Sequence, residues 1–314
     1  MSRVLEFSDG AERGDTSWWT STTCSVASGV GESGAYCYEF GGSEEATKTL
    51  TTPLSEMYFR ARVKYNSLPA SCGIALRAGS TNLVALTQNN TSARLDIVGA
   101  VTGDTGNNSL TFGWQVLEVY YKISDTVGVV TVKLDGVTKF TFSGDTKLGT
   151  DSTVNLLYVV MPPASNIFYM DDIALDTADW CGLGYYIALT PNAAGDVTQW
   201  TPTGGANYAN VGIPADDATY NTGTTGQLDN YAMTTTTLGA ASVERVIPFV
   251  RASNPAGGTL NVGLKTGGTN YTSAVTTPTS LTWLIGAEYT VSPNTSAEWN
   301  QTDLNNIQFT AEMP

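Results

Sequence analysis

Apolar and polar residues alternate with a two-residue period along much of the first half of the chain. Between Met57 and Tyr65 the basic side chains Arg60, Arg62 and Lys64 fall on one side and apolar residues on the other. That is the pattern of a strand with one buried face. Residues 73–77, 82–86 and 94–98 follow at the spacing of a β-sandwich, and residues 114–122 add another strand. A hairpin is predicted where Val130, Val132 and Leu134 face Thr138, Phe140 and Phe142 across Asp135-Gly136. Apolar residues occupy even positions on both arms, so an odd loop is expected, a three-residue turn with Gly136 left-handed. Residues 168–176 read as the last strand of this sandwich, and 177–180 as a linker.

The second half starts a new run at Tyr185, is richer in Thr, Gly and Asn, and is punctuated by Pro191, Pro202, Pro214, Pro255, Pro278 and Pro293. Strands are predicted at 243–251, 259–265, 280–288 and 306–310. One helical turn is predicted at 300–305, capped by Asn300. The reading is an all-β chain of two β-sandwich domains, residues 1–178 and 179–314.

Composition supports the class. In 314 residues only 14% are charged, while 41% are hydrophobic and 32 are Gly, a mix that favours β-branched strands and tight turns over helices. The net charge of −14 argues against phosphate-backbone binding and hence against nucleic acid as a partner. The first 20 residues lack the apolar segment of a secretory signal, and no run is long enough for a membrane helix. Synthesis in a cytoplasm without membrane insertion is therefore expected.

There is no histidine, which removes the commonest general base and the Ser/His and Cys/His nucleophile pairs. Cys24, Cys37, Cys72 and Cys181 show no CxxC spacing, so structural zinc is not expected. Cys24 and Cys37 read either as buried free thiols or as a bridge across a hairpin.

Carboxylates remain as the acid/base candidates. A jelly-roll glycosidase pattern, Glu-x-Asp-x-x-Glu on one strand, is absent. On a regular strand Asp171 and Asp172 point to opposite faces and do not form a pair. Asp172 reads as a partner for backbone donors at the sandwich rim, and Asp216 and Asp217 as turn formers beside Pro214. The cofactor expectation is none, with calcium held open: Asp171 and Asp172, with Asp104 and Asp176 nearby in type, are the oxygen ligands at hand. Trp18, Trp19, Tyr36 and Tyr38 are the glycan-binding candidates. For the tryptophans the competing reading is core and rim packing, and for Tyr36 and Tyr38, which share a strand face, it is core. The sequons at Asn270 and Asn294 carry no weight in an Asn/Thr-rich chain.

Two resemblances add to this. Residues 5–12, the Trp114 strand, the Asp135-Gly136 turn and Tyr169-Met170-Asp171-Asp172-Ile173 together resemble laminin G-like or concanavalin A-like jelly-roll domains. The segment from Pro191 to Pro202, Asp216-Asp217-Ala218-Thr219-Tyr220 and Trp299-Asn300-Gln301-Thr302-Asp303-Leu304-Asn305 resemble β-sandwich modules of tailed-bacteriophage structural proteins. The first resemblance implies carbohydrate binding, sometimes with calcium. The second implies a virion component. Together they lead to the expectation of a non-enzymatic virion surface protein, a capsid decoration protein with an exposed lectin-like domain. The alternative is a tail-associated adhesin for host glycans, and a polysaccharide-degrading enzyme ranks last. Expected partners are phage coat or tail proteins and host surface glycans, with the chain as a homo-oligomer.

Overall fold

The computed structural model describes residues 5–32, 34–66, 73–89, 91–162, 167–212, 217–239 and 241–314. Cys72, Pro214 and Asp216 lie outside them. The chain divides into two compact units, Met1–Ile187 and Ala188–Pro314.

The first unit is an antiparallel sandwich of jelly-roll type. One sheet runs in the order Val137–Gly144, Gly128–Leu134, Gln115–Lys122, Glu56–Tyr65, Phe168–Asp176, Tyr36–Phe40, Ser25–Ser28, with Leu5–Asp9 also paired to Phe168–Asp176. The other sheet runs Gly103–Asp104, Arg94–Gly99, Thr81–Asn89, Gly73–Ala78, Val154–Val160, Glu45–Leu54, Ser21–Thr22. Alternation decides what lies between them. Met57, Phe59, Ala61, Val63 and Tyr65 point inward, where they meet Leu117, Val119 and Tyr121 of the neighbouring strand and Ile74, Leu76, Leu83 and Leu86 of the facing sheet. Each fully buried aliphatic or aromatic side chain of this kind contributes about 1.5–3 kcal/mol.

The predicted hairpin forms, with Val130 opposite Phe142 and Val132 opposite Phe140. Its turn differs from the expectation. Leu134 pairs with Val137, so the loop is the two residues Asp135 and Gly136, with φ of 52° and 76°. Two consecutive positive φ values are what a two-residue I′ turn requires. The odd residue sits instead in a bulge, because Val132 pairs with Phe140 and Lys133 with Thr138. A bulge absorbs one residue as effectively as a longer loop does.

The second unit is built on a five-stranded antiparallel sheet, Pro191–Thr198, Leu228–Met233, Gln308–Glu312, Gly258–Thr266, Thr269–Thr277, with a two-stranded ribbon of Phe249–Ala252 and Thr282–Ile285 beside it. Tyr231, Leu260, Val262, Leu284, Phe309 and Ala311 form its main core. The expected helical turn is Gln301–Asn305, and the Asn300 side chain caps it by accepting from the Asp303 N–H at 2.9 Å.

Residues 179–187, which the sequence places after the domain boundary, belong to the first unit. They lie as a strap along the outer side of the first sheet. Trp180 packs its ring against Tyr58 and Tyr120, with centroids 5.5 and 6.1 Å away, and Lys133 Nζ sits 3.4 Å from its centroid.

Candidate functional site

The outer face of the first sheet carries the charged side chains that alternation excludes from the core, and strand register sorts them into four rows. Tyr58 pairs with Asp176 and Tyr120, and Arg60 with Ala174 and Glu118. Arg62 pairs with Asp171 and Val116. In the last row Glu39 pairs with Tyr169, and Tyr169 with Lys64.

The strap covers the first three rows with its own backbone. Glu118 Oε1 accepts from the Gly182 N–H at 3.0 Å, while Arg62 Nη2 donates to the Leu183 carbonyl at 3.0 Å and Arg60 Nη1 to the Gly182 carbonyl at 3.5 Å. Cys181 Sγ reaches the Tyr58 carbonyl at 3.4 Å. These bonds let Arg60 and Glu118 stay buried at 4% and 2% exposure without the penalty of an unpaired buried charge.

Asp171 and Asp172 do not sit on opposite faces. Two residues, Asp172 and Ile173, occupy the space opposite one between the Asp171–Arg62 and Ala174–Arg60 pairs, and Asp172 has φ of 47°. The bulge turns both carboxyl groups to the outer side. Asp172 Oδ1 accepts from the Tyr186 N–H at 2.8 Å, and its Oδ2 lies 3.1 Å from Arg62 Nε. Asp171 accepts from the N–H groups of Asp172 at 2.7 Å and Glu32 at 3.1 Å. Burial, reinforced by the Asp172 carboxylate, raises the pKa of Asp171 well above the usual range. Each of the four carboxyl oxygens thus has a backbone donor or Arg62 beside it. Among the described residues no group of three or more His, Cys, Asp or Glu side chains is placed to hold a metal ion.

The remaining row is only partly covered. Lys64 and Glu39 are half-buried and Asn66 is exposed. Tyr169 stands between Glu39 and Lys64 in the cross-strand register, and the side chains of Asn66 and Glu39 both act on its phenol. Burial, with help from the Glu39 carboxylate, raises its pKa, so Tyr169 stays protonated. Lys64 Nζ lies 5.7 Å from the Tyr169 ring centroid and 5.9 Å from that of Trp114, whose ring is 6.4 Å from Tyr169. A cation, a protonated phenol, the carboxylate of its cross-strand partner and an indole thus meet on one sheet face. Cys37, two residues from Glu39, is fully buried, and burial pushes its thiol up to about 12, so it supplies no nucleophile.

The glycan candidates named from the sequence lie elsewhere. Trp18 and Trp19 are 7% and 5% exposed within the core, packed edge to face at 4.7 Å and both against Tyr38. Tyr38 is fully buried and donates to Asp9 Oδ2, and Tyr36 packs partly buried on the same core. The open row contains none of the four. Its lysine was visible in the sequence as one of three basic residues on a single strand face, but nothing local linked it to Glu39 or Tyr169.

No protein-family model matches the sequence, and no curated protein matches it. Solved structures do resemble part of the chain. An endo-β-1,4-glucuronan lyase from the fungus Trichoderma reesei is 15% identical over 56% of this chain and 96% of its own, with TM-score 0.43. A carbohydrate esterase from Shiga toxin-encoding bacteriophage phi24B is 15% identical over 56% of this chain and all of its own, with TM-score 0.42. An alginate lyase from Chlorella virus is 9% identical over 55% and 100%, with TM-score 0.40.

These comparisons correct two expectations. The chain was expected to be a non-enzymatic decoration protein or adhesin, with carbohydrate-degrading activity ranked last. The solved structures it resembles are instead carbohydrate-active enzymes, two of them polysaccharide lyases. The absence of histidine and of the Glu-x-Asp-x-x-Glu pattern excludes only particular mechanisms. At such low identity the likeness concerns the fold, so any reaction has to be argued from the side chains. Among the described residues no helix is long and apolar enough to cross a membrane.

Proposed function

We propose that the first unit processes acidic polysaccharide, cleaving uronate-containing chains by β-elimination at Glu39, Tyr169 and Lys64. The observation that carries this reading is the partly covered row itself, in which a half-buried lysine, a protonated tyrosine 8% exposed and a half-buried glutamate lie on adjacent strands. Elimination needs a cation to neutralise the uronate carboxylate, a base for the proton on the neighbouring ring carbon, and an acid for the departing glycosidic oxygen. Lys64 supplies the cation and the Glu39 carboxylate takes the ring proton. The C–O bond breaks as the ring double bond forms, and Tyr169 protonates the leaving oxygen. Transfer of the proton from the Glu39 carboxyl to the phenolate of its cross-strand partner Tyr169 resets the site without a co-reactant. Trp114 offers an apolar ring face beside Lys64 for a neighbouring sugar.

Hydrolysis is the less suitable chemistry here. It uses two carboxyl groups about 5–10 Å apart, whereas Asp171, Asp172 and Asp176 of this face are all fully buried. The test is incubation of the full chain with alginate, polygalacturonate, glucuronan and hyaluronan. Ultraviolet absorbance of the unsaturated product, rising with new reducing ends, is the expected result. Reducing ends without that absorbance would point to hydrolysis, and no product from any of the four would remove the reading.

A further inference from the structure

The second unit presents a different combination of side chains on its two-stranded ribbon. Register places Phe249 opposite Ile285 and Arg251 opposite Trp283. Val250, Ala252 and Leu284 pack into the core of the unit, so alternation turns Phe249, Arg251, Trp283 and Ile285 to the other side. Ile285 is 53% exposed. Phe249 and Trp283 form an edge-to-face pair with centroids 5.4 Å apart. Beside them the Arg251 guanidinium grips Asp217 in a fork, Nε to Oδ1 at 2.7 Å and Nη2 to Oδ2 at 2.9 Å. The Asp217 carboxylate is itself 53% exposed.

We propose that this ribbon face binds a neutral saccharide, independently of the site in the first unit. Phe249 and Trp283 supply the apolar surface that the C–H side of a pyranose requires. The Arg251–Asp217 fork supplies donor and acceptor groups for its hydroxyls at the rim, since each carboxylate oxygen has more than one lone pair. Charge selects against other ligands. The fork is internally neutral, a guanidinium paired with a carboxylate, so it offers no net charge to an ionic ligand. Size selects against a protein partner or a second copy. Two four-residue strands at about 3.4 Å per residue and about 4.8 Å spacing present roughly 13 by 10 Å. That is far below the roughly 800 Å² per side of a stable protein interface, but it matches one or two sugar rings.

The test is calorimetric titration of the full chain with cellohexaose, mannohexaose, maltohexaose and chitohexaose. At least one should bind saturably with a dissociation constant in the millimolar range. W283A and D217A should each weaken that binding by about 10-fold or more, the factor equivalent to about 1.4 kcal/mol, while K64A leaves it unchanged. Asp217 is exposed, so D217A keeps the fold and decides the matter even if W283A does not. Absence of saturable binding to all four sugars overturns the proposal, as does binding that survives D217A. A concentration-dependent dimer in sedimentation that W283A abolishes would also overturn it, by making the ribbon an interface between copies.

Discussion

Tyr169 and Lys64 are direct cross-strand partners on the outer face of the first sheet, with the Lys64 ammonium 5.7 Å from the phenol ring. Glu39 completes the row from the other side. The two strands that flank Tyr169 fix these spacings by backbone pairing, so the row is held by the sheet and not by a loop. Sites on such rigid elements keep their geometry without ligand.

If Tyr169 donates the proton to the leaving oxygen, Y169F should lower kcat by about 10²- to 10⁴-fold, the usual contribution of a positioned acid. Its pKa lies above the ordinary tyrosine value of about 10. The acid form therefore persists as pH rises, and the alkaline limb of the rate profile should start above that value. A limb near pH 6 to 7, or a Y169F variant with wild-type kcat, would assign the acid to another group.

Salt should act in two directions. The chain carries −14 charges and repels a polyuronate at long range, so raising salt from about 10 to about 150 mM should lower KM as the screening length shrinks from about 30 to about 8 Å. The contact at Lys64 is short-ranged and less affected. In K64A the fall of KM with salt should persist while KM at every salt concentration is higher. Equal KM values for K64A and wild type would rule Lys64 out as the carboxylate partner.

Asp171 makes stability depend on pH. Its folded pKa is raised by burial and by Asp172 above an unfolded value of about 3.9. The stability linked to it is thus fully present below that unfolded value and is lost as pH rises through the folded one. Glu12 and Asp9, also raised chiefly by burial, act in the same direction. Urea midpoints should decline from about pH 4 upward in the wild type, and D171N should show a shallower decline. An unchanged slope in D171N would show that its carboxyl is ionised at no cost.

Trp180 anchors the strap. W180A removes its contacts with Tyr58, Tyr120 and Lys133, and for a partly exposed indole the cost should be about 2 kcal/mol. Hydrogen exchange should accelerate at the Gly182 and Tyr186 amides, which donate to Glu118 and Asp172. Wild-type exchange at both amides would mean that the polar bonds alone hold the strap.

Much of this molecule was legible residue by residue. The alternation from Met57 to Tyr65 identified which side chains face inward, the apolar positions identified the hairpin partners Val132 and Phe140, and Asn300 marked the short helix. The turn at Asp135-Gly136 was located, though its length was misjudged because a bulge and a three-residue loop satisfy the same parity. The rule for a regular strand separates Asp171 and Asp172, and the bulge there turns both carboxyl groups to one side.

By itself the sequence determined the class and the faces, because a two-residue period and turn residues act over only a few positions along the chain. It also determined that any acid/base chemistry must proceed without histidine. Only the tertiary structure decided that Glu39, Tyr169 and Lys64 lie side by side. Their strands are distant in the chain and meet through register, which is set by the packing of a whole core. The same holds for the strap, whose place over Arg60 and Glu118 depends on a sheet face that exists only once the four strands carrying Arg60, Glu118, Lys133 and Asp172 have paired.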